Sequence, residues 1–279
     1  MVNISFLKSG HCFHPEFVSK KGGSFQSVMF PATVALIEHP RYGVLLFDTG
    51  YSEHFFTATK KFPEKLYRMV TPVELNQTEI LRNQLKERGI GVKDVKNIFL
   101  SHFHGDHIGG VKDYPDAQFI YDHASYDSLK NLSNFSALRR AFLPQLLPSN
   151  FIERSLPVHS AQMSACAEVE GFLTGYDMFG DQSVVAVYLP GHEIGHMGLI
   201  VRANDQKTYL LAADAAYHRD AYLKGCLPHP LARIIIQDYD AYKTTNDKLS
   251  HLSVARPEIT IIPCHCMDTF TDIRSEVVK

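Results

Sequence analysis

Ser101-His102-Phe103-His104-Gly105-Asp106-His107-Ile108-Gly109-Gly110 carries four groups able to bind a transition metal within six residues. It follows directly on Asn97-Ile98-Phe99-Leu100, an apolar run that reads as a buried strand stopping where the histidines begin. The chemistry is therefore expected at the mouth of a sheet. His102 and His104 are two apart, so an extended backbone turns both imidazoles to one side, where neutral nitrogens can grip one ion. Gly105 is expected to let the chain turn sharply and aim Asp106 and His107 at a second, neighbouring point. One ion does not need all four groups; two adjacent ions do, provided more ligands arrive from elsewhere. A solvated, histidine-rich surface loop is the plainer reading, but it leaves the agreement of ligand types, glycines and preceding strand unexplained.

The rest of the chain bounds what such a site can serve. With 279 residues and 45% apolar composition, the chain is long enough for one large domain, expected over 1–279. A formal charge of -2 offers no basic field for nucleic acid and no polybasic face for an anionic membrane, so a small-molecule substrate is expected. Met1 to Gly10 lacks the pattern of a secretory leader, and no run of 18 apolar residues occurs. The cysteines, Cys12, Cys166, Cys226, Cys264 and Cys266, are odd in number and form no disulfide framework, so a reduced, cytoplasmic protein is expected.

Upstream of the motif, Phe30–Ile37 and Gly43–Phe47 read as a hairpin across Glu38-His39-Pro40-Arg41-Tyr42. Asp48-Thr49-Gly50 closes its second strand. Asp48 is either a turn former or a group that steers a metal ligand. Tyr51 to Val73 reads as a packed amphipathic excursion over the sheet edge. Asn76-Gln77-Thr78-Glu79 is a capping box for a helix with Leu81 and Leu85 on one face and Gly89 at its end. That helix should cover the sheet and feed the histidine-bearing strand, an α/β arrangement.

Downstream, Gln118–Tyr121 is another strand, and His192 comes only 85 positions after His107. The interval should hold a helical insertion over roughly 124–150, with helices at Ser125–Leu132 and Phe135–Leu147. It is either a lid over an apolar substrate pocket or a contact between copies in a homodimer. Val184–Leu189 is a strand followed by Pro190-Gly191-His192-Glu193-Ile194-Gly195-His196, where a third ligand to the first ion would arise. Gly195 and the strand Gly198–Val201 argue against a helix there, which leaves His196 as a supporting or core histidine. Thr208–Ala212 ends at Asp214, whose two carboxylate oxygens can bridge two cations with room for a water. Tyr217 stands three residues on, either near the metals to hydrogen-bond a developing oxyanion or merely packed in the wall. After a helix over Asp238–Leu252, Glu258–Pro263 is the last strand and delivers His265 to the second ion. Cys264 and Cys266 read as buried thiols; the alternative is that one of them joins the metal, as in a redox site.

These strand-end groups resemble the signature of the metallo-β-lactamase superfamily: a His-x-His-x-Asp-His run, then a His, an Asp and a His, each after a strand. The resemblance runs from Asp48 to His265. It implies a four-layer αβ/βα sandwich with a dinuclear metal site at one edge of the two sheets. Carried over, His102, His104 and His192 hold one divalent ion, Asp106, His107 and His265 the other, and Asp214 bridges them. Zinc is expected, although imidazole and carboxylate also accept iron, cobalt or manganese.

Within the superfamily the chain is most similar to the N-acyl-homoserine lactonase group, through the Asp214-x-x-Tyr217 step and the insertion. That similarity implies a quorum-quenching hydrolase opening a lactone ester, with Tyr217 and Asp106 as catalytic groups. Zinc β-lactamases of the largest group have Arg where His107 stands and Cys in place of Asp214. A glyoxalase II-like thioesterase adds a C-terminal helical region, whereas fourteen residues follow His265. The remaining alternatives are a hydrolase of another ester or thioester, glyoxalase II-like or an aryl esterase, a signal-binding member of the fold and an iron redox enzyme.

Overall fold

The computed structural model describes residues 1–165, 172 and 174–277; Cys166 lies outside them. Among the described residues, thirteen strands make two sheets. The first contains β1 (Asn3–Pro15), β2 (Ser27–His39), β3 (Gly43–Phe47), β4 (Val73–Glu74), β5 (Val95–Phe99), β6 (Gln118–Asp122) and β7 (Ser155–Val158) in the order β4-β1-β2-β3-β5-β6-β7. The second contains β8 (Ser164–Ala165), β9 (Thr174–Asp177), β10 (Val184–Tyr188), β11 (Met197–Arg202), β12 (Thr208–Ala213) and β13 (Ile259–Pro263) in the order β13-β12-β11-β10-β9-β8. The strands β3, β5, β6 and β7 run parallel, as do β12 and β13; their other neighbours are antiparallel.

Period-2 patterning assigns each strand's side chains to two different cores. Leu36, Leu46 and Ile98 face α1 (Glu53–Ala58), α2 (Lys65–Val70) and α3 (Leu81–Glu87), where Phe55, Tyr67, Leu81 and Leu85 cover them. Ile37, Leu45, Phe47 and Phe99 point the other way, against Leu199, Val201 and Leu211 of the second sheet. On that sheet's outer face, Val185, Val187, Leu210 and Ala212 meet Leu249 and Leu252 of the long carboxy-terminal helix over Tyr239–Ala255. Helices, sheet, sheet and helices therefore stack as four layers, the αβ/βα sandwich that the family resemblance implies. No helix among the described residues is long and apolar enough to cross a membrane.

Several expectations need correction. The capping box at Asn76 and Glu79 is present, but it caps a 3-10 turn over Gln77–Glu79, and α3 starts two residues later. The insertion holds α4 (His123–Asp127) and α5 (Asn134–Arg139), both shorter than the helices predicted at Ser125–Leu132 and Phe135–Leu147. The second helix stops because Ala141 takes a left-handed φ of 47° and Pro144 follows, opening a 3-10 turn over Pro144–Leu146. Phe142 instead bridges to the backbone of His104, tying the insertion to the metal-binding motif.

Candidate metal centre

Every expected site group leaves a strand end on the same edge of the sandwich. His102, His104, Asp106 and His107 follow β5, His192 follows β10, Asp214 follows β12 and His265 follows β13. The motif turns over residues 105–107, as anticipated, and aims Asp106 and His107 at a second point. Gly105 has no left-handed φ; residues 104–108 wind as one helical turn, with the N–H groups of His107 and Ile108 donating to the His104 carbonyl at 3.0 and 3.2 Å. What Gly105 contributes is space, since a Cβ there would lie 3.2 Å from the Phe55 ring. Gly109 is more constrained, because a Cβ would stand 2.4 Å from the Gly50 carbonyl oxygen. Thr49 fastens the same loop, its N–H and hydroxyl each donating to the His107 carbonyl at 2.9 Å.

Two groups of ligand atoms result. His102, His104, His192 and Asp214 form one buried set, with His104 Nδ1 3.1 Å from His192 Nε2 and Asp214 Oδ2 3.3 Å from His192 Nε2. Two nitrogens sharing a tetrahedral ion at ordinary zinc–nitrogen distances stand about 3.3 Å apart. The second set contains His107, Asp214 and His265: Asp214 Oδ1 lies 3.2 Å from His107 Nε2, and Oδ2 lies 3.2 Å from His265 Nε2. Asp106 Oδ2 faces the same imidazoles, 3.3 Å from His265 Nε2 and 3.8 Å from His107 Nε2. Asp214 is thus the one side chain in both sets.

The partners on the far side of each ring show which nitrogen is free to ligate. His107 Nδ1 donates to Asp48 Oδ2 at 2.8 Å, and His265 Nδ1 donates to the Pro31 carbonyl at 2.8 Å. Ser101 gives its N–H and hydroxyl to Asp48 and accepts from His102 Nδ1 at 3.0 Å. His192 Nδ1 is 3.2 Å from the Tyr217 hydroxyl, and His104 Nε2 is 4.0 Å from Glu193 Oε1. Acceptors on the outer nitrogens leave the inner lone pairs facing one another, the arrangement that orients metal-ligating histidines. His102 Nε2, His107 Nε2 and Asp214 Oδ1 are buried with no hydrogen-bond partner. Each such orphan costs roughly 1–3 kcal/mol, and a pair of cations would satisfy all three. The residues present therefore fit a dinuclear metal site. Asp48, which the sequence left between two roles, steers His107 from a left-handed φ of 61°. His196 supports the site from behind, its Nε2 accepting from the Asp214 N–H at 3.3 Å.

Electrostatics sort the histidines into two kinds. Burial holds His102, His104 and His192 below the ordinary histidine range, as neutral ligands require. Burial also opposes charge on His107 and His265, but the Asp214 carboxylate outweighs it and raises both well above that range. In the metal-free chain this pairing stabilises the fold below the ordinary histidine pKa and is lost as pH rises through the raised values. Ion binding must displace those protons, so apparent affinity should climb with pH, about tenfold per unit for each proton released. Calorimetry of metal binding in buffers of different ionisation heat should show about two protons released; a proton count of zero would contradict this picture.

The two thiols flanking His265, Cys264 and Cys266, are not among the cavity's lining residues. Cys264 Sγ reaches the Thr33 carbonyl at 3.6 Å and completes a tight group with His107, Asp214 and His265. Cys266 Sγ instead accepts from Thr269 Oγ1 at 3.2 Å and the Arg219 N–H at 3.5 Å. Both are buried.

A cavity of about 520 Å³ opens over the centre, with His104, Asp106, Asp214, Tyr217 and His265 among its lining residues. Its walls are mostly apolar: Phe30, Leu66, Tyr67, Val70, Phe135, Leu138, Ile234 and Ile235. The insertion contributes Phe135, Leu138, Arg139 and Ala141, which places it at the pocket. The sequence reading missed the parts played by Cys12 and His14 of β1 and by the 51–73 excursion. Burial pushes the Cys12 thiol up to about 12, so it lines the pocket as a thiol rather than a nucleophile.

Comparisons with known proteins bear on the family and the fold. Among curated proteins the chain is similar to the N-acyl homoserine lactonase AttM of Rhizobium radiobacter, 28% identical over 211 residues that cover 74% of this chain and 72% of that protein. It is also similar to the gamma-lactamase FDB1 of Fusarium pseudograminearum, 22% identical over 209 residues, or 72% of this chain and 49% of that one. Among solved structures it shares its fold with an N-acyl homoserine lactone hydrolase that has the product N-hexanoyl-L-homoserine bound at its catalytic metal centre. The TM-score is 0.74 at 18% identity, over 98% of this chain and 96% of that one. AidC, a dizinc quorum-quenching lactonase in complex with a product, superposes with a TM-score of 0.62 at 17% identity, over 96% of this chain and 89% of that one. The model of the metallo-beta-lactamase superfamily matches residues 29–265, and the chain belongs to that superfamily.

Proposed function

We propose that this metallo-hydrolase opens the ester ring of an N-acyl-homoserine lactone, the reaction of a quorum-quenching lactonase. The observation that carries the reading is the apolar cavity ending on Asp106, Asp214 and Tyr217, which suits a small polar ring joined to an acyl chain. Relatives named as lactonases, and similar solved proteins holding homoserine products, support it. In this reading His102, His104 and His192 hold one ion, Asp106, His107 and His265 the other, and Asp214 both. Two divalent ions held there, zinc in the first instance, would polarise the carbonyl and lower the pKa of a water.

The chain's own groups then supply position and protons. Burial, with the Asp214 charge beside it, holds the Tyr217 phenol well above its usual pKa, so it remains a donor. Because His192 Nδ1–H donates to the Tyr217 oxygen, the phenolic proton is left for the ring carbonyl as negative charge develops on it. Asp106 lies on the cavity side, where it takes up the proton the attacking water gives up and relays it to the leaving alkoxide. The walls from Leu66 to Val70 and from Phe135 to Ala141 hold the acyl chain. Tyr217→Phe should lower kcat on a lactone roughly ten- to a thousandfold with both ions retained; an unchanged kcat would remove the phenol from the mechanism.

The reading is tested by a substrate panel: short- and long-chain acyl-homoserine lactones, an aryl ester, a glutathione thioester and a cephalosporin. Lactone turnover rising with chain length is expected. Turnover of the thioester or aryl ester alone would keep a metal-dependent hydrolase and reject the lactonase. Silence throughout, with iron and a visible absorption band, would favour the redox reading.

A further inference from the structure

Glu193 is a buried carboxylate placed directly after His192, and the proposed chemistry gives it no task. A carboxylate is costly to bury unless paired and hydrogen-bonded. Here Oε1 takes both partners, accepting from Arg140 at 3.1 Å and from the Gln237 side-chain amide at 2.8 Å, while Oε2 has none. Arg140 lies in the insertion, between the wall residues Arg139 and Ala141. Gln237 lies two residues beyond the wall residue Ile235, and its backbone N–H donates to the His192 carbonyl at 3.1 Å. Two separate walls of the cavity therefore meet on one carboxylate, and that carboxylate faces the outer nitrogen of His104.

The separation of 4.0 Å from Oε1 to His104 Nε2 is too long for a hydrogen bond but short for a charge acting in a dry site. The other four site imidazoles have acceptors within 3.2 Å of their outer nitrogens. His104 instead faces a carboxylate across a longer gap, and a negative charge beside Nε2 favours the tautomer with its proton there and Nδ1 free toward the ion.

We propose that Glu193 is a positioning residue: it fixes the tautomer and aim of His104, and through Arg140 and Gln237 it ties both cavity walls to the first metal position. The inference rests on the dinuclear reading above. It is tested by metal competition against a chromophoric chelator, with the metal-free proteins first compared by circular dichroism and thermal melting. The wild-type chain should bind two ions per chain. Glu193→Gln, which keeps the shape and removes the charge, should bind the first ion about 10- to 100-fold more weakly, with an altered Co(II) absorption spectrum and kcat lowered more than KM is raised. Arg140→Gln, farther from the ligands, should move the same quantities in the same direction by a smaller factor.

Wild-type affinities and Co(II) spectra in both variants would overturn the proposal. So would a loss of metal-free melting temperature with ion affinity unchanged, because that outcome marks a purely structural carboxylate. If Glu193→Gln does not fold, Arg140→Gln decides alone, and unchanged affinity there overturns the link to the walls. A wild-type chain that binds fewer than two ions would instead bring down the dinuclear reading, and this inference with it.

Discussion

Replacing Asp214 by alanine should abolish hydrolysis, lowering kcat/KM by at least about a thousandfold, or roughly 4 kcal/mol of barrier. Among the described residues, Asp214 is the one carboxylate whose oxygens stand within 3.3 Å of His192, His107 and His265 together. Without it, the set of His102, His104 and His192 loses its carboxylate, Asp106 alone faces His107 and His265, and no negative group joins the two ion positions to offset their mutual repulsion. Asp214→Asn should behave similarly, since a neutral amide of the same size does not bridge two cations. Elemental analysis alongside the rate checks the cause. A variant that keeps two ions and a rate within tenfold of wild type would sink the bridging role.

Stripping the metal should cost stability as well as activity. The metal-free fold must bury an ionised Asp214 among imidazoles, with His102 Nε2, His107 Nε2 and Asp214 Oδ1 unpartnered. At free metal about a thousand times the dissociation constant, binding to the folded state alone adds about 4 kcal/mol. For a chain of this size that moves the melting temperature on the order of 10 °C. Calorimetric scans with and without chelator provide the comparison, and coincident transitions would mean that no ion is held in the core of the site.

The metal-binding motif was legible because its information is local. Ligand types, a strand before them and close-packed glycines all lie within a few residues, and the strand ends at His192, Asp214 and His265 repeat the same grammar. Asp48 was half legible for the same reason: it stands at a strand end, but only the folded chain brings Ser101 and His107 to it.

What was not legible depends on distant contacts. The first fifty residues read as sheet and turn, but the bounds of β1 are not legible because its alternation breaks between Lys8 and His11, where Gly10 adopts a φ of 76° and the register shifts. The insertion was read as longer helix because its leucines favour helix locally, yet Phe142 and Leu143 turn inward and the chain bends at Ala141. The Pro31 carbonyl that holds His265 has no side-chain signature at all. Glu193 stood in plain view beside His192, but its partners lie 53 and 44 positions away.

The measurement that bears most directly on the central claim is proton release at constant pH when the metal-replete chain meets a long-chain N-acyl-homoserine lactone, with His104→Ala in parallel. One proton per lactone opened, dependent on bound metal and lost in the variant, is the expected result. A wild-type chain loaded with two ions that leaves the lactone intact would contradict it.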